Sequence, residues 1–204
     1  MAPCILPQMY SAAEYANLKR KYGSCASWAI WDIHNQRDTT IIDENVEQLS
    51  SNYVFVGLNI SKQLNDVPWV NFRSGRHDRK VKYACNDTVL RGSYLTDLFK
   101  GIAEPKAFKI SGILSDEILQ RHVTFFHEEM RDIKLHDGST LIILGEVARR
   151  YFDNYFRTQE HRVAYYCHYS YSGMTDRRWT EGLWQRLGIE QNFDSIVQKY
   201  NRRR

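Results

Sequence analysis

The chain has 204 residues, of which 43% are hydrophobic and 25% are charged, a composition typical of a globular domain with a full core. It has no run of roughly 18–20 apolar residues and no signal-peptide pattern at its start, so we expect a cytoplasmic protein without a membrane span. The net charge of +4 is mild and does not by itself identify a nucleic-acid partner. The four cysteines stand far apart without a C-x-x-C pair, which argues against a metal cluster.

The apolar spacing predicts strands and helices that alternate along the chain. The predicted helices cover residues 11–22, 43–49, 115–133, 146–156, 180–187 and 192–200, and Gly23 is placed to stop the first of them. The predicted strands cover residues 26–33, 53–58, 92–98, 140–144 and 163–167. Residues 59–91 have no sustained period, so we interpret them as a long functional loop with a short helical piece. Residues 106–111 show no clear preference.

This alternation predicts an α/β fold, specifically a three-layer α/β/α sandwich around a central, mainly parallel sheet of four to five strands. We expect a single domain over residues 1–204, with an N-terminal helix and strand in 1–50, a core in 53–178 and closing helices in 179–204. In such a sheet the loops at the carboxyl ends of the strands converge on one cleft. Asn59, Asp97, Gly145 and His168 all lie at predicted strand ends.

Three short segments carry the most specific pattern, namely residues 54–61, 141–148 and 165–172. Each is an apolar or aromatic run that ends in a small or polar residue. Their order and spacing resemble the uracil-DNA glycosylase superfamily, and bacterial anti-phage glycosylases that act on glucosylated hydroxymethylcytosine are the nearest match within it. The chain departs from the family pattern at Ile60 and Tyr169, where proline is expected. The resemblance implies a uracil-DNA glycosylase-like fold.

The resemblance assigns the catalytic roles to Asn59 and His168. When an N-glycosidic bond breaks, positive charge develops on the sugar and negative charge on the base, so the site must orient a water and donate a hydrogen bond to the base. Asn59 would orient the water rather than act as a strong base, and His168 would bond the carbonyl oxygen of the base. From the residue types alone, Asn59 could instead cap a turn and His168 could tie loop backbone together.

The resemblance also indicates which residues surround the extruded base. Phe72 would stack on it, and Trp69 is a rival for that role. Gly57 and Leu58, just before Asn59, belong to the same base-binding segment. Either aromatic residue could instead be part of the core of the loop, since large aromatics are usually at least partly buried.

Asp97 and Ser61 point to the kind of base. Asp97 would accept the exocyclic amino group of cytosine, although an aspartate there could instead cap the following helix. Ser61 stands where strict uracil enzymes have a bulky tyrosine, so a substituent at C5 of the base would fit. Hydroxyl groups on that substituent could be bonded by a polar set in the long loop: His77, Asp78, Asn86 or Asp87.

Basic residues cluster after the first and third segments, where they would lie on the rim of the cleft and contact phosphates. The residues predicted to bind DNA are Arg73, Arg76, Arg79, Lys80, Ser170, Tyr171, Met174, Arg177 and Arg178. Of these, Tyr171 and Met174 are candidate wedges that fill the space left by an extruded nucleotide. Any single charge run could instead belong to a solvated loop.

The combined expectation is a monofunctional DNA glycosylase, without cofactor or metal, that removes a hydroxymethylated or glucosylated cytosine from phage DNA. It would leave an abasic site, because no lysine is evidently placed for Schiff-base chemistry. We expect a monomer that acts in the bacterial cytoplasm in antiviral defence. Two alternatives stay open: a glycosylase-like module that binds nucleic acid without activity, and a uracil or thymine mismatch repair glycosylase.

Overall fold

Five strands form the central sheet of the computed structural model, which describes residues 10–32, 35–73, 75, 77–158 and 161–201. The strands are β1 (Ser27–Trp28), β2 (Ser50–Asn59), β3 (Ser93–Phe99), β4 (Thr140–Leu144) and β5 (Arg162–Tyr166). Their order across the sheet is β1-β3-β2-β4-β5. All neighbours pair in parallel except β1, which runs antiparallel to β3. The predicted α/β fold with a mainly parallel sheet is therefore confirmed.

Helices pack on both faces of this sheet. They are α1 (Ala12–Tyr22), α2 (Thr40–Asp43), α3 (Arg79–Cys85), α4 (Asp116–Asp132), α5 (Glu146–Tyr151), α6 (Asp176–Leu187) and α7 (Phe193–Asn201). Buried side chains of α1, α4 and α5 join one apolar cluster, and those of α3, α6 and α7 join the other. Within the part of the chain that is described, no helix combines the length and the apolar character needed to cross a membrane.

The strand β2 shows why the sequence forms a sheet that is covered on both sides. Val54 and Val56 pack into the cluster with α4 and α5, whereas Phe55 packs into the opposite cluster with α3 and α6. Successive side chains of a strand point to opposite faces, so a strand with helices on both sides must be apolar throughout. Each such buried side chain stabilises the fold by about 1.5–3 kcal/mol.

Side-chain caps set the beginnings of the longer helices. Ser11 and Glu14 form a reciprocal capping box at the start of α1, and the hydroxyl of Ser115 accepts from a backbone N–H in the first turn of α4. Thr175 caps α6 in the same way. The helix predicted over 180–187 consequently begins four residues earlier, at Asp176, since the cap and not the apolar period defines its start.

Two other predicted elements differ from the structure, and residues 106–111, for which the sequence showed no preference, also form a defined element. The strand predicted over 26–33 pairs only at Ser27–Trp28, because the carbonyls of Trp28 and Ile30 accept from the guanidinium of Arg73; residue 33 lies outside the described residues. The helix predicted over 43–49 is replaced by α2 and a 3-10 turn at Val46–Gln48, and β2 already begins at Ser50. Residues 106–111 fall mostly in a second 3-10 turn, Ala107–Gly112.

Candidate active site

The parallel strands end at a point where the path of the chain across the sheet reverses. From β2 the chain passes through α3 on one face to β3, and from β4 it passes through α5 on the opposite face to β5. Open α/β sheets bind ligands in the crevice at such a point. A cavity of about 230 Å³ lies there. Its wall consists of Asn59, Ile60, Ser61, Lys62, Leu64, Asn71, Phe72, Gly75, His77, Asp78, Asp97, His168, Tyr169 and Ser170.

The side chain of Asn59 is fixed by its nitrogen. Nδ2 donates to the backbone carbonyls of Ile60, Ile102 and Glu104 at 2.7, 3.0 and 2.9 Å. Because the nitrogen is fully engaged, Oδ1 is the atom of this amide that remains to accept a hydrogen bond. Asn59 thus ties the loops after β2 and β3 together and also offers a fixed acceptor in the wall of the cavity.

The imidazole of His168 is held as a neutral ring with its proton on Nε2. The backbone N–H of Ser170 donates to Nδ1 at 3.2 Å, and the hydroxyl of Ser170 lies 2.7 Å from the same nitrogen. Since Nδ1 accepts, the proton of the neutral ring is on Nε2. Burial lowers the pKa of His168 to about 4, and the neighbouring His77 and Lys80 add to that effect. At neutral pH the site therefore holds a hydrogen-bond donor without a charge.

Gly145 lets the loop that carries His168 approach the start of α5. Its φ of +98° is a conformation that L side chains rarely adopt, and a Cβ at this position would lie 3.3 Å from the Cβ of His168. The N–H of Gly145 also donates to the carbonyl of Tyr166 at 2.8 Å. The missing side chain at Gly145 therefore permits close packing between the His168 loop and the start of α5.

Aromatic rings form one side of the cavity. Phe72 is buried and lies 5.9 Å from Tyr169 between ring centroids, and Tyr169 in turn stacks on His168 at 4.3 Å. Trp69 is a core residue instead, since its ring is fully buried and its indole N–H donates to the hydroxyl of Tyr15. Of the two aromatics that the sequence offered for stacking on a base, only Phe72 lines the cavity.

Asp97 is buried near the end of β3, with its side chain against β2. Its Oδ2 accepts from Nδ2 of Asn71 at 2.8 Å, and a Cβ added at Gly57 would lie 2.2 Å from its Oδ1. Burial raises the pKa of Asp97 to about 6, although the hydrogen bond from Asn71 acts in the opposite direction. The alternative that Asp97 caps a helix is wrong, because β3 continues to Phe99 and the next α-helix is capped by Ser115.

The remaining residues predicted to surround a base divide into two groups. Ser61 is exposed at the mouth of the cavity, and His77 and Asp78 form part of its wall. Gly57 lies outside the wall and leaves space for Asp97, and the side chain of Leu58 packs into the apolar core on the opposite face of the sheet. Two further polar candidates lie elsewhere: Asn86 is fully buried beyond the end of α3, and Asp87 is paired with Lys199.

Two of the predicted DNA-binding residues are internal, so those two predictions are wrong. Arg73 is buried and its guanidinium donates to the carbonyls of Trp28, Ile30 and Asp38, which attaches the long loop to the edge of the sheet. Lys80 is also buried, and its ammonium donates to the carbonyl of Tyr171 at 3.0 Å. Both cations are buried and hold loop backbone in place, so neither presents its charge to a phosphate.

Two exposed arginines are committed to ion pairs between elements. Arg79 at the start of α3 pairs with Asp176 at the start of α6. Arg177 pairs with Asp194 and Glu181, and its guanidinium lies 4.9 Å from the centroid of the Phe193 ring. Exposed pairs of this kind contribute about 0–1 kcal/mol each and compete with any phosphate contact.

The loop after β5 provides the exposed candidates for contact with DNA. Tyr171 exposes 56% of its surface next to the His168 loop turn, and Arg178 is exposed in the first turn of α6. Ser170 is engaged with His168 as described above. Met174 is half-buried with its sulfur 3.5 Å from that of Cys167, so of the two predicted wedges Tyr171 is the one that protrudes. Arg76 lies outside the described residues.

Sequence reasoning missed two residues that shape the site. Asn71 bonds both Asp97 and the carbonyl of Cys25 through Nδ2, while its Oδ1 accepts from the N–H of Phe72. Tyr169 joins the ring of Phe72 to that of His168, although the sequence marked it only as a departure from the family pattern. The signal for Asn71 was its position beside Phe72, but its partners come from β3 and from the loop before β1, which no local pattern reveals.

Comparison with models of known protein families finds no match to this chain, and comparison with curated proteins finds no significantly similar relative. Among the described residues, no group of three histidine, cysteine, aspartate or glutamate side chains converges in a way that could hold a metal ion. The assignment of function therefore depends on the geometry of the cavity and on the chemistry of its wall.

Proposed function

We propose that this protein is a DNA glycosylase of the uracil-DNA glycosylase type, which hydrolyses the N-glycosidic bond of a base extruded from the duplex. The observation that carries the proposal is the convergence of Asn59, Phe72, Asp97 and His168 on one cavity at the carboxyl ends of the parallel strands. These residues come from four separate loops and strands, and the motif pattern had assigned each of them a role in the same reaction.

The geometry supports separate roles for the amide of Asn59 and the imidazole of His168. Oδ1 of Asn59 would accept from a water and hold it beneath the sugar, because Nδ2 is already fixed by three carbonyls. The Nε2–H of His168 would donate to the carbonyl oxygen of the base as negative charge develops there. A neutral imidazole suits this task, since its Nε2–H donates a hydrogen bond without placing a positive charge in a buried site.

The wall of the cavity supports a cytosine-type base with a substituent at C5. Asp97 offers a carboxyl group that can pair with the exocyclic amino group of cytosine. Ser61 leaves the mouth of the cavity open, and the polar residues His77 and Asp78 lie in its wall, where they would bond hydroxyl groups of the substituent. We therefore propose hydroxymethylated or glucosylated cytosine in phage DNA as the substrate, with an abasic site as the product and antiviral defence as the biological role.

Duplex DNA would lie against the loop after β5. Tyr171 is the exposed aromatic that would fill the space of the extruded nucleotide, and the nearby cations Arg178 and Lys62 would contact phosphates. The salt dependence of DNA binding would be modest, because Arg73 and Lys80 are buried and would not contact the phosphates of the duplex.

The test is to incubate the purified protein with four duplexes that contain cytosine, uracil, hydroxymethylcytosine or glucosylated hydroxymethylcytosine, and to measure released base and abasic sites by mass spectrometry. We expect release from the modified cytosines alone, and loss of release in Asn59→Ala with DNA binding retained. Release from uracil alone would contradict the proposed base class and favour a repair glycosylase. Binding without release from any duplex would contradict catalysis and favour a binding module.

A further inference from the structure

Asp97 is a buried carboxyl group whose closest polar partner is neutral. Its Oδ2 accepts from the amide of Asn71, and its side chain lies against Gly57 and not against a cation. The nearest ammonium, that of Lys100, is turned away from the carboxyl group: it pairs with Glu129 of α4 at 2.7 Å and donates to the backbone carbonyl of Asp97. A buried carboxyl group without a cationic partner favours its protonated form.

The charges around Asp97 act in both directions. Lys100 favours its ionised form, whereas the negative charges of Glu129 and of Asp78, in the loop before α3, disfavour it. From the loop after β5 it faces His168, which is neutral at pH 7. Among the described residues, the cavity also places Lys62, His77 and Tyr169 around this carboxyl group, and the thiol of Cys25 lies near it. Desolvation is the largest of these effects and raises the pKa of Asp97 to about 6, so a fraction of the molecules still carries this proton near neutral pH.

We propose that Asp97 enters the reaction protonated and delivers its proton to the ring nitrogen N3 of a cytosine-type base as that base departs. This inference rests on the proposed function and assigns Asp97 a second role in it, as the general acid. A neutral carboxyl group presents one donor and one acceptor side by side, which matches the N3 acceptor and the amino donor of cytosine. A carboxylate would instead set a second lone pair against that of N3.

The step balances without a co-reactant other than water. The bond between the sugar carbon and the base nitrogen N1 breaks, and its electron pair moves into the base. The proton on Asp97 passes to N3, so the base leaves neutral and Asp97 becomes a carboxylate. Water adds to the sugar carbon and releases one proton, which restores the protonated Asp97 directly or through solvent.

Asn71 acts as a positioning residue in this scheme. It holds Oδ2 of Asp97, and through its Oδ1 it also fixes the backbone N–H of Phe72, whose ring would stack on the same base. The amide thus sets the distance between the ring that stacks and the carboxyl group that donates. Its hydrogen bond also lowers the pKa of Asp97, so loss of this bond should leave the carboxyl group protonated up to a higher pH.

The experiment is the single-turnover rate of base release from duplex DNA containing hydroxymethylcytosine, measured between about pH 5 and about pH 8. We expect the rate to fall about tenfold per pH unit once the pH exceeds the pKa of Asp97, because only the protonated form can donate. Asn71→Ala should move this falling limb to higher pH. Asp97→Asn should remove the limb and lower the maximal rate by about 10²–10⁴-fold.

Control variants separate this role from others. His77→Gln removes the other imidazole of the cavity and should leave the limb in place, and Asp97→Asn must retain the circular dichroism spectrum and DNA affinity of the wild type. A rate that rises with pH through the same range would overturn the proposal. The carboxylate of Asp97 would then be the active form, and it would only accept a hydrogen bond from the amino group of the base. A complete absence of release at every pH would refute the proposed function and this inference with it.

Discussion

The two titrating groups of the cavity should affect folding stability in opposite directions. Burial raises the pKa of Asp97 from 3.8 to about 6, so between these values the folded protein holds a proton that the unfolded chain has lost. Raising the pH through that window therefore destabilises the folded state. At about 1.4 kcal/mol for each pKa unit the full shift corresponds to about 3 kcal/mol, of which about 2 kcal/mol is lost between pH 4 and pH 6.

The contribution of His168 to folding stability changes with pH in the opposite direction. Its pKa falls from 6.5 to about 4, so between these values the unfolded chain binds a proton that the folded protein excludes. Its contribution to stability is fully present above the unfolded pKa and is lost as the pH falls toward about 4. The ring is partly exposed, so we reduce the full value to roughly 2 kcal/mol. Between pH 4 and pH 6 the two contributions largely cancel in the wild-type protein.

Replacing either residue should make the contribution of the other to the pH dependence of stability measurable. We expect the free energy of unfolding of Asp97→Asn, taken relative to that of the wild type, to rise by about 2 kcal/mol from pH 4 to pH 6.5. The same difference for His168→Gln should fall by roughly 2 kcal/mol over that range. Urea denaturation followed by tryptophan fluorescence measures both, and the difference from wild type removes the titration of the other carboxyl groups. Flat difference curves for both variants would refute the pKa shifts, and with them the neutral imidazole and the protonated carboxyl group.

Three further predictions test how the site is built. In Asn59→Asp the new carboxylate lies against three carbonyl oxygens. We therefore expect the free energy of unfolding, measured by urea denaturation, to fall by about 2–4 kcal/mol and base release to become slower. A stable variant that releases base faster would contradict the hydrogen bonds of Nδ2. Gly57→Ala should displace the Asp97 carboxyl group and reduce base release by at least about tenfold, in a protein that keeps its circular dichroism spectrum. Arg73→Ala should destabilise the fold by about 3 kcal/mol or more, because it removes a buried cation that binds several carbonyls. Arg178→Ala should change stability by less than about 0.5 kcal/mol and weaken duplex binding. The reverse result would indicate that Arg73 contacts DNA.

The sheet and the convergence of the site could be predicted because both follow from local periodicity. Continuous apolar runs such as Val54–Val56 identify strands that are buried on two faces, and the residues after them must meet at one edge of a parallel sheet. This rule placed Asn59 and His168 at one cleft although more than a hundred residues separate them, whereas their catalytic roles were proposed from the family resemblance. No tertiary contact had to be known in advance.

The roles of the charged residues could not be predicted in the same way. Arg73 and Lys80 occur in a polar stretch without a period, where a cation is usually solvated. Their burial depends on carbonyls that the fold supplies from distant segments, at Trp28 and Ile30 for the first and at Tyr171 for the second. A sequence pattern contains the donor but not the position of its acceptors, so the contacts become visible only in three dimensions.

The buried cations explain how so irregular a loop can hold a site. Trp69 and Phe72 both have positive φ, at 65° and 62°, a region that bulky L residues adopt only when surrounding contacts enforce it. Those contacts come from the two side chains next to Phe72: the guanidinium of Arg73 donates to the carbonyls of Trp28 and Ile30, and the amide of Asn71 donates to the carbonyl of Cys25 and accepts from the N–H of Phe72. The position of the Phe72 ring is thereby fixed by a cation that is buried in the loop and not exposed on its surface. A protein with this arrangement would gain its selectivity from the shape of the cavity, with phosphate contacts in a supporting role.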